Sequence, residues 1–191
     1  MSPSPDRAVV IGASAGGVQA LLALLPSLPA DFPWPIFIVL HVPADRSNVL
    51  APLFEARCRV EVKEAEDKET ARPGVVYFAP SDYHLLVESN GDMALSSDEA
   101  VNYSRPSIDV LFESAADAYG VGLTGVILTG ANEDGAAGLS AVAAAGGVAL
   151  VEEPAAAYAQ AMPQAARNAC TAAIALPLEG IAEHLKGLGT E

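Results

Sequence analysis

Basic residues are scarce in this chain. Ten Lys and Arg stand against 24 Asp and Glu in 191 residues, a formal charge of −14 at neutral pH. That balance disfavours nucleic acid and anionic membrane surfaces as partners, and no run of basic residues offsets it. Cysteine is rarer still. Cys58 and Cys170 allow one bridge at most, and neither sits in a C-x-x-C pair. Two buried, reduced thiols are expected, which suits a cytoplasmic location. Only three histidines occur, and no H-x-x-x-H or related ligand spacing accompanies them, so neither a metal nor a cofactor is expected. Residues 8–30 lack charge and follow Arg7, which superficially suits a secretory leader. The stretch exceeds the usual ~7–15-residue apolar core, however, and is broken by Gly12, Gly16, Gly17, Gln19 and Pro26, while Asp6 cancels Arg7. No leader and no membrane insertion are expected.

Apolar residues are plentiful, at 51%, and the length suits one domain over residues 1–191 with residues 1–7 as a short tail. Short β-branched runs alternate with alanine-rich, helix-compatible ones, the pattern of a doubly wound α/β fold: a mostly parallel sheet with helices on both faces. Strands are expected over 8–11, 36–40, 59–63, 75–78, 125–128 and 148–151, with a short one near 172–174. Helices are expected over 18–25, 46–56, 106–118, 134–145, 163–168 and 178–187. An antiparallel hairpin is expected near 85–95 around Asn90-Gly91, and the whole middle portion reads as antiparallel.

Ser14 follows the first strand inside Gly12-Ala13-Ser14-Ala15-Gly16, which fits the G-x-S-x-G nucleophile elbow. A glycine-rich turn of this kind also suits phosphate binding. The dinucleotide fingerprint nevertheless fails: serine stands where its second glycine belongs, and His41 ends the second strand where a ribose-binding acid is expected. Asp134 follows the strand that ends near Leu128. In a parallel sheet all three positions fall on one edge, the edge where open α/β folds place their sites. Serine acyl transfer needs this set of groups: a hydroxyl, an imidazole to take its proton, and a carboxylate to orient the imidazole. The bland alternatives are a tight-turn serine, a turn histidine, and an aspartate that caps the helix following it. The order Ser…His…Asp also differs from the Ser…Asp…His order of α/β-hydrolases. His84, in an Asp82-Tyr83-His84 turn, and His184, on a polar terminal helix, are weaker candidates for the base.

The segments IGASAGG (11–17), VLHVP (39–43), VKEAED (62–67), YFAPSDYHL (77–85), SRPSIDVLF (104–112), VILTGANEDGAAG (126–138) and AMP (161–163) closely resemble the catalytic domain of the chemotaxis protein-glutamate methylesterase (CheB) family, in the family's order. The resemblance implies a cytoplasmic hydrolase acting in chemotactic signal transduction. It would cleave glutamate γ-methyl esters on the cytoplasmic helices of methylated chemoreceptors, release methanol, and act in many members as a deamidase on receptor glutamines. The family's Ser-His-Asp triad maps onto Ser14, His41 and Asp134. Two departures accompany the likeness. The family usually carries an N-terminal receiver domain, whereas seven residues precede the first strand here, so control by phosphorylation in cis is not expected and a separate response regulator or adaptor becomes a candidate partner. The family's T-G-M-G-x-D-G loop reads Thr129-Gly130-Ala131-Asn132-Glu133-Asp134-Gly135, with Asn132 replacing a glycine. Alternatives are an esterase with the same machinery acting on another protein or a small ester, a catalytically silent interaction module, and a nucleotide-binding module.

Overall fold

A computed structural model describes residues 6–190. Seven strands form one parallel sheet in the order β3-β4-β2-β1-β7-β8-β9. They are β1 (Ala8–Ala13), β2 (Ile36–Leu40), β3 (Glu61–Glu64), β4 (Val75–Phe78), β7 (Leu123–Ile127), β8 (Val148–Glu152) and β9 (Ile174–Leu176). A separate antiparallel pair joins β5 (His84–Val87) to β6 (Met93–Ser96). The helices are α1 (Gly17–Leu24), α2 (Leu50–Glu55), α3 (Ile108–Tyr119), α4 (Ala136–Ala144), α5 (Ala161–Ala169) and α6 (Leu178–Leu188).

The central strands are apolar on both faces because both faces are covered. Val10, Phe37, Val39, Leu123 and Ile127 bury one way, against Ile108, Leu111 and Phe112 of α3, Leu139 and Val142 of α4, Met162 of α5, and the hairpin. Val9, Ile11, Ile36, Ile38 and Val126 bury the other way, against Leu21 and Leu24 of α1, Phe54 of α2, and Ile181 and Leu185 of α6. This is the expected doubly wound architecture. No described helix is long and apolar enough to cross a membrane.

Four expectations change. β3 and β4 run parallel to each other and to β2, so among the named strands only the β5–β6 hairpin is antiparallel. The connection over 65–74 is short and charged, which resembles a hairpin turn. Instead it crosses over without a helix, its backbone paired with the hairpin through Lys68 N–H to Met93 O, Met93 N–H to Glu69 O and Ala71 N–H to Gly91 O. The helix expected over 46–56 splits into a 3₁₀ turn, Ala44–Val49, and α2. Pro52 lacks an N–H and clashes with the carbonyl four residues back, so it is tolerated only in the first turn of a helix that begins at Leu50. α3 begins at Ile108 rather than at Pro106, with Ser107 extended ahead of it. α4 begins at Ala136, preceded by Gly135 at φ 98°, and not at Asp134. Both cysteines are free as expected, although Cys58 is only half-buried while Cys170 is buried.

The chain runs from β1 to β2, passes on to the edge strand β3, steps back to β4 between them, and then returns to the other side of β1 as β7. Its topological switch point therefore lies between β1 and β7, where crevices open beyond the strand ends.

Candidate active site

Backbone pairing carries three loops to one place. β1 is hydrogen-bonded to β2 on one side and β7 on the other, and the ladder continues one step past each strand. His41 N–H donates to Ala13 O at 3.0 Å, and Ser14 N–H donates to Thr129 O at 2.9 Å. Ser14 and His41 consequently share the lining of a cavity of about 420 Å³, with Val42, Val49, Leu50 and Leu53 as apolar walls. A second cavity of about 220 Å³ also includes His41 in its lining, together with Ala79, Tyr103, Arg105 and Pro106. Between β1 and α1, Gly16 adopts φ 80°. A Cβ there would also meet the Tyr158 ring at 2.7 Å, so glycine answers both demands. Ser14 Oγ makes no hydrogen bond among the described residues, and the N–H groups of Ala15, Gly16 and Ala131 are likewise free of partners there.

His41 Nε2 lies 3.0 Å from Asp134 Oδ2, a bent approach in which the ring N–H does not point straight at the oxygen. The imidazole is 14% exposed and the carboxylate fully buried. The structure thus brings all three expected residues to one crevice.

Asp134 has a second task, and it is not the expected one. It caps α3, the helix packed beside its own. Its Oδ2 accepts Ile108 N–H at 2.7 Å, and its Oδ1 accepts Asp109 N–H at 3.1 Å and Ser107 Oγ–H at 2.9 Å. In exchange Asp109, from the first turn of α3, accepts Gly135 N–H at 3.1 Å and Gly138 N–H at 2.7 Å at the start of α4. Each helix is capped by the other's carboxylate, which satisfies amide groups that a helix start leaves without partners. Asn102 ties the two acids together, its Nδ2 donating to Asp109 Oδ2 at 2.7 Å and to Asp134 Oδ1 at 2.8 Å. It reaches both from a two-residue turn in which Asn102 and Tyr103 hold φ 53° and 61°. Val101 and Ser104 pair across that turn, giving the type I′ geometry that favours asparagine.

The acids are driven apart electrostatically. Burial alone would raise Asp134, but the bonds from His41, Ile108, Asn102 and Asp109 hold its carboxyl below the ordinary carboxylate value. Asp109 goes the other way: burial raises it, the Asp134 charge adds to the rise, and the bonds from Gly138, Asn102 and Gly135 only moderate it. Asp134 therefore stays ionised beside His41.

Further support was missed in the sequence. His84 is not a turn residue but the buried first residue of β5. Its Nε2 bonds Glu99 O at 2.8 Å and its Nδ1 takes Ser107 N–H at 3.1 Å, which aims the Ser107 hydroxyl at Asp134. Buried Glu152 accepts Thr129 N–H at 2.8 Å, and Thr129 Oγ1 donates to Ala15 O at 2.8 Å, so β8 steadies the serine turn. Asn132 Oδ1 accepts Asp134 N–H at 3.0 Å while its Nδ2 faces His41 Nδ1 at 3.4 Å. Glu133 beside it is exposed. His184 lies on α6, which packs against α1, β8 and β9.

The chain is similar to known proteins in sequence and in structure. The sequence profile of the CheB methylesterase family matches residues 9–185. A Leptospira interrogans protein whose name pairs protein-glutamate methylesterase with protein-glutamine glutaminase is 48% identical over 177 residues, 93% of this chain and 92% of that one. A Myxococcus xanthus protein-glutamate methylesterase/protein-glutamine glutaminase is 42% identical over 176 residues, 91% of this chain but 51% of its own length. The crystal structure of the Thermotoga maritima CheB methylesterase catalytic domain superposes with a TM-score of 0.89 at 35% identity, covering 95% of this chain and 98% of that one. By profile, sequence and structure alike, this chain belongs to the CheB methylesterase family.

Proposed function

We propose that this chain is a protein-glutamate methylesterase whose catalytic residues are Ser14, His41 and Asp134, and that one catalytic domain carries the whole reaction. The observation that carries the assignment is the meeting of three strand-end loops, with Ser14 and His41 on one cavity and His41 Nε2 at 3.0 Å from a buried, ionised Asp134.

Because Nε2 is turned toward Asp134, Nδ1 is the ring nitrogen left to act as base. It takes the Ser14 hydroxyl proton as Oγ attacks the ester carbonyl. The unpartnered N–H groups of Ala15, Gly16 and Ala131 are the donors available to the resulting oxyanion. One such donor supplies ~2.7–4 kcal/mol of transition-state stabilisation. Collapse breaks the bond to methoxide, which leaves as methanol with the proton from His41. Water then gives a proton to His41 as its oxygen attacks the acyl carbon; the bond to Ser14 Oγ breaks with His41 returning that proton to Oγ, and the glutamic acid formed loses its own proton to solvent. Asp134 holds the imidazole and offsets its charge without taking the proton. Glutamine deamidation follows the same steps with ammonia leaving.

The substrate would be the methylated cytoplasmic helices of chemoreceptors, and a separate response regulator or adaptor would supply control. Methanol release from methylated receptor tests the assignment. Ser14→Ala should abolish release, and substantial retained hydrolysis would overturn the nucleophile.

A further inference from the structure

Asn132 stands in the loop ahead of Asp134, and its amide has a fixed orientation. Oδ1 is committed to Asp134 N–H at 3.0 Å, an Asx-type turn. The Nδ2 end is therefore the one facing His41 Nδ1, at 3.4 Å. Both ring nitrogens then have assigned neighbours: a carboxylate at Nε2, which takes a proton, and an amide donor at Nδ1, which requires a lone pair.

We propose that Asn132 is a positioning residue that keeps His41 in the Nε2–H tautomer with Nδ1 unprotonated, guarding the lone pair that Ser14 needs. The inference rests on the catalytic reading given above. A donor aimed at Nδ1 calls for a lone pair on that nitrogen, because a proton there would set N–H against N–H. The same donor competes with the Ser14 hydroxyl, so its long contact is consistent with a partner that yields when the serine turns toward the ring. A glycine at this position would leave tautomer selection to Asp134 alone.

The other charged groups near the ring are Asp134 at Nε2, Asp109 behind it, Glu133 on the same loop, and Arg46 and Arg105, which line the two cavities that meet at His41. All stay in place in the variants that follow, so a change reports position 132.

Asn132→Asp separates this role from turn formation, because aspartate forms the same Asx turn but replaces the donor with an anion. A carboxylate at that range gives Nδ1 an acceptor in place of a donor, so it draws a proton onto the nitrogen that must stay free for Ser14. The acid limb of the kcat/KM profile should move to higher pH, with at least about a tenfold loss on that limb and no fall in melting temperature. Asn132→Gly should shift the limb in the same direction by less. In isotope-labelled wild-type protein, the His41 ring should read as the Nε2–H tautomer, and that bias should weaken in Asn132→Gly, where Asp134 alone maintains it. An Asp variant with the wild-type profile, or a wild-type ring protonated at Nδ1, would overturn the proposal. The tautomer measurement needs no turnover, so failure of the esterase assignment would be seen separately, as wild-type protein that releases no methanol.

Discussion

Asp134→Asn should damage the fold as well as the chemistry, and the structure says by how much. Oδ2 serves Ile108 N–H and faces His41, while Oδ1 serves Asp109 N–H, Ser107 Oγ–H and Asn102. Whichever oxygen becomes an amino group, one backbone N–H at the start of α3 loses its acceptor in a site only 1% exposed. An orphaned buried donor costs ~1–3 kcal/mol, and weakening the remaining charged bonds adds about 1 kcal/mol. Removing the buried charge offsets part of this, leaving a loss of about 1–3 kcal/mol, or roughly 2–12 °C in Tm for a chain of this size. Ser14→Ala breaks no side-chain hydrogen bond and should stay within about 0.5 kcal/mol of wild type. The sign with pH follows from the lowered Asp134 value. Its stabilisation is present above the ordinary carboxylate range and disappears as pH falls through the folded-state value, so wild type and Asp134→Asn should converge in acid. Thermal unfolding of both variants across pH, alongside methanol release, is the assay. An inactive Asp134→Asn protein that melts with wild type at neutral pH would refute the shared role.

Glu152→Gln should act with the opposite pH dependence. Burial raises Glu152, so its ionisation costs stability that is intact below the unfolded-state value and lost as pH rises through the folded one; the variant keeps an acceptor for Thr129 N–H and should out-melt wild type near about pH 8 but not near about pH 4. Gly138→Ala should destabilise by about 1–3 kcal/mol despite better helix propensity, because its Cβ would lie 2.6 Å from Phe112 Cβ and 3.1 Å from Asp109 Cα where α3 and α4 touch. A Tm equal to or above wild type would contradict that packing. Raising ionic strength should increase kcat/KM on a carboxylate-rich protein substrate and leave a small neutral ester unaffected, given the charge of −14. A flat response would show that local charge at the crevice outweighs the net charge.

The sheet and the crevice were legible because parallel strands advertise themselves. Runs such as Ile36–Leu40, buried along their whole length, need cover on both faces, and strand-end positions for Ser14, His41 and Asp134 follow from parallel pairing alone. The supports were not legible, since they join residues distant in the chain. Nothing local in Asp134-Gly135 says that the carboxylate turns away from its own helix to cap α3, 25 residues upstream at Asp109. The acid in the first turn of α3 was the available hint, and it gains its meaning only once α4 is packed alongside. Asn102 and His84 were hidden in the same way. His84 reads as a turn residue and Asn102 carries no signal in its neighbours, and each is placed by partners on α3 and the loop before it. Strand direction at β3 and β4 was misjudged because a charged connection of hairpin length happened to be a crossover.

A fluorophosphonate probe tests the central claim most directly, because it reacts with an activated serine and needs no knowledge of the ester. Folded wild-type protein should acquire a single adduct, mapped by mass spectrometry to Ser14, and His41→Gln should lose it while keeping its fold. A folded protein that hydrolyses methyl esters yet stays unlabelled at Ser14, or carries its adduct on another serine, would contradict the account.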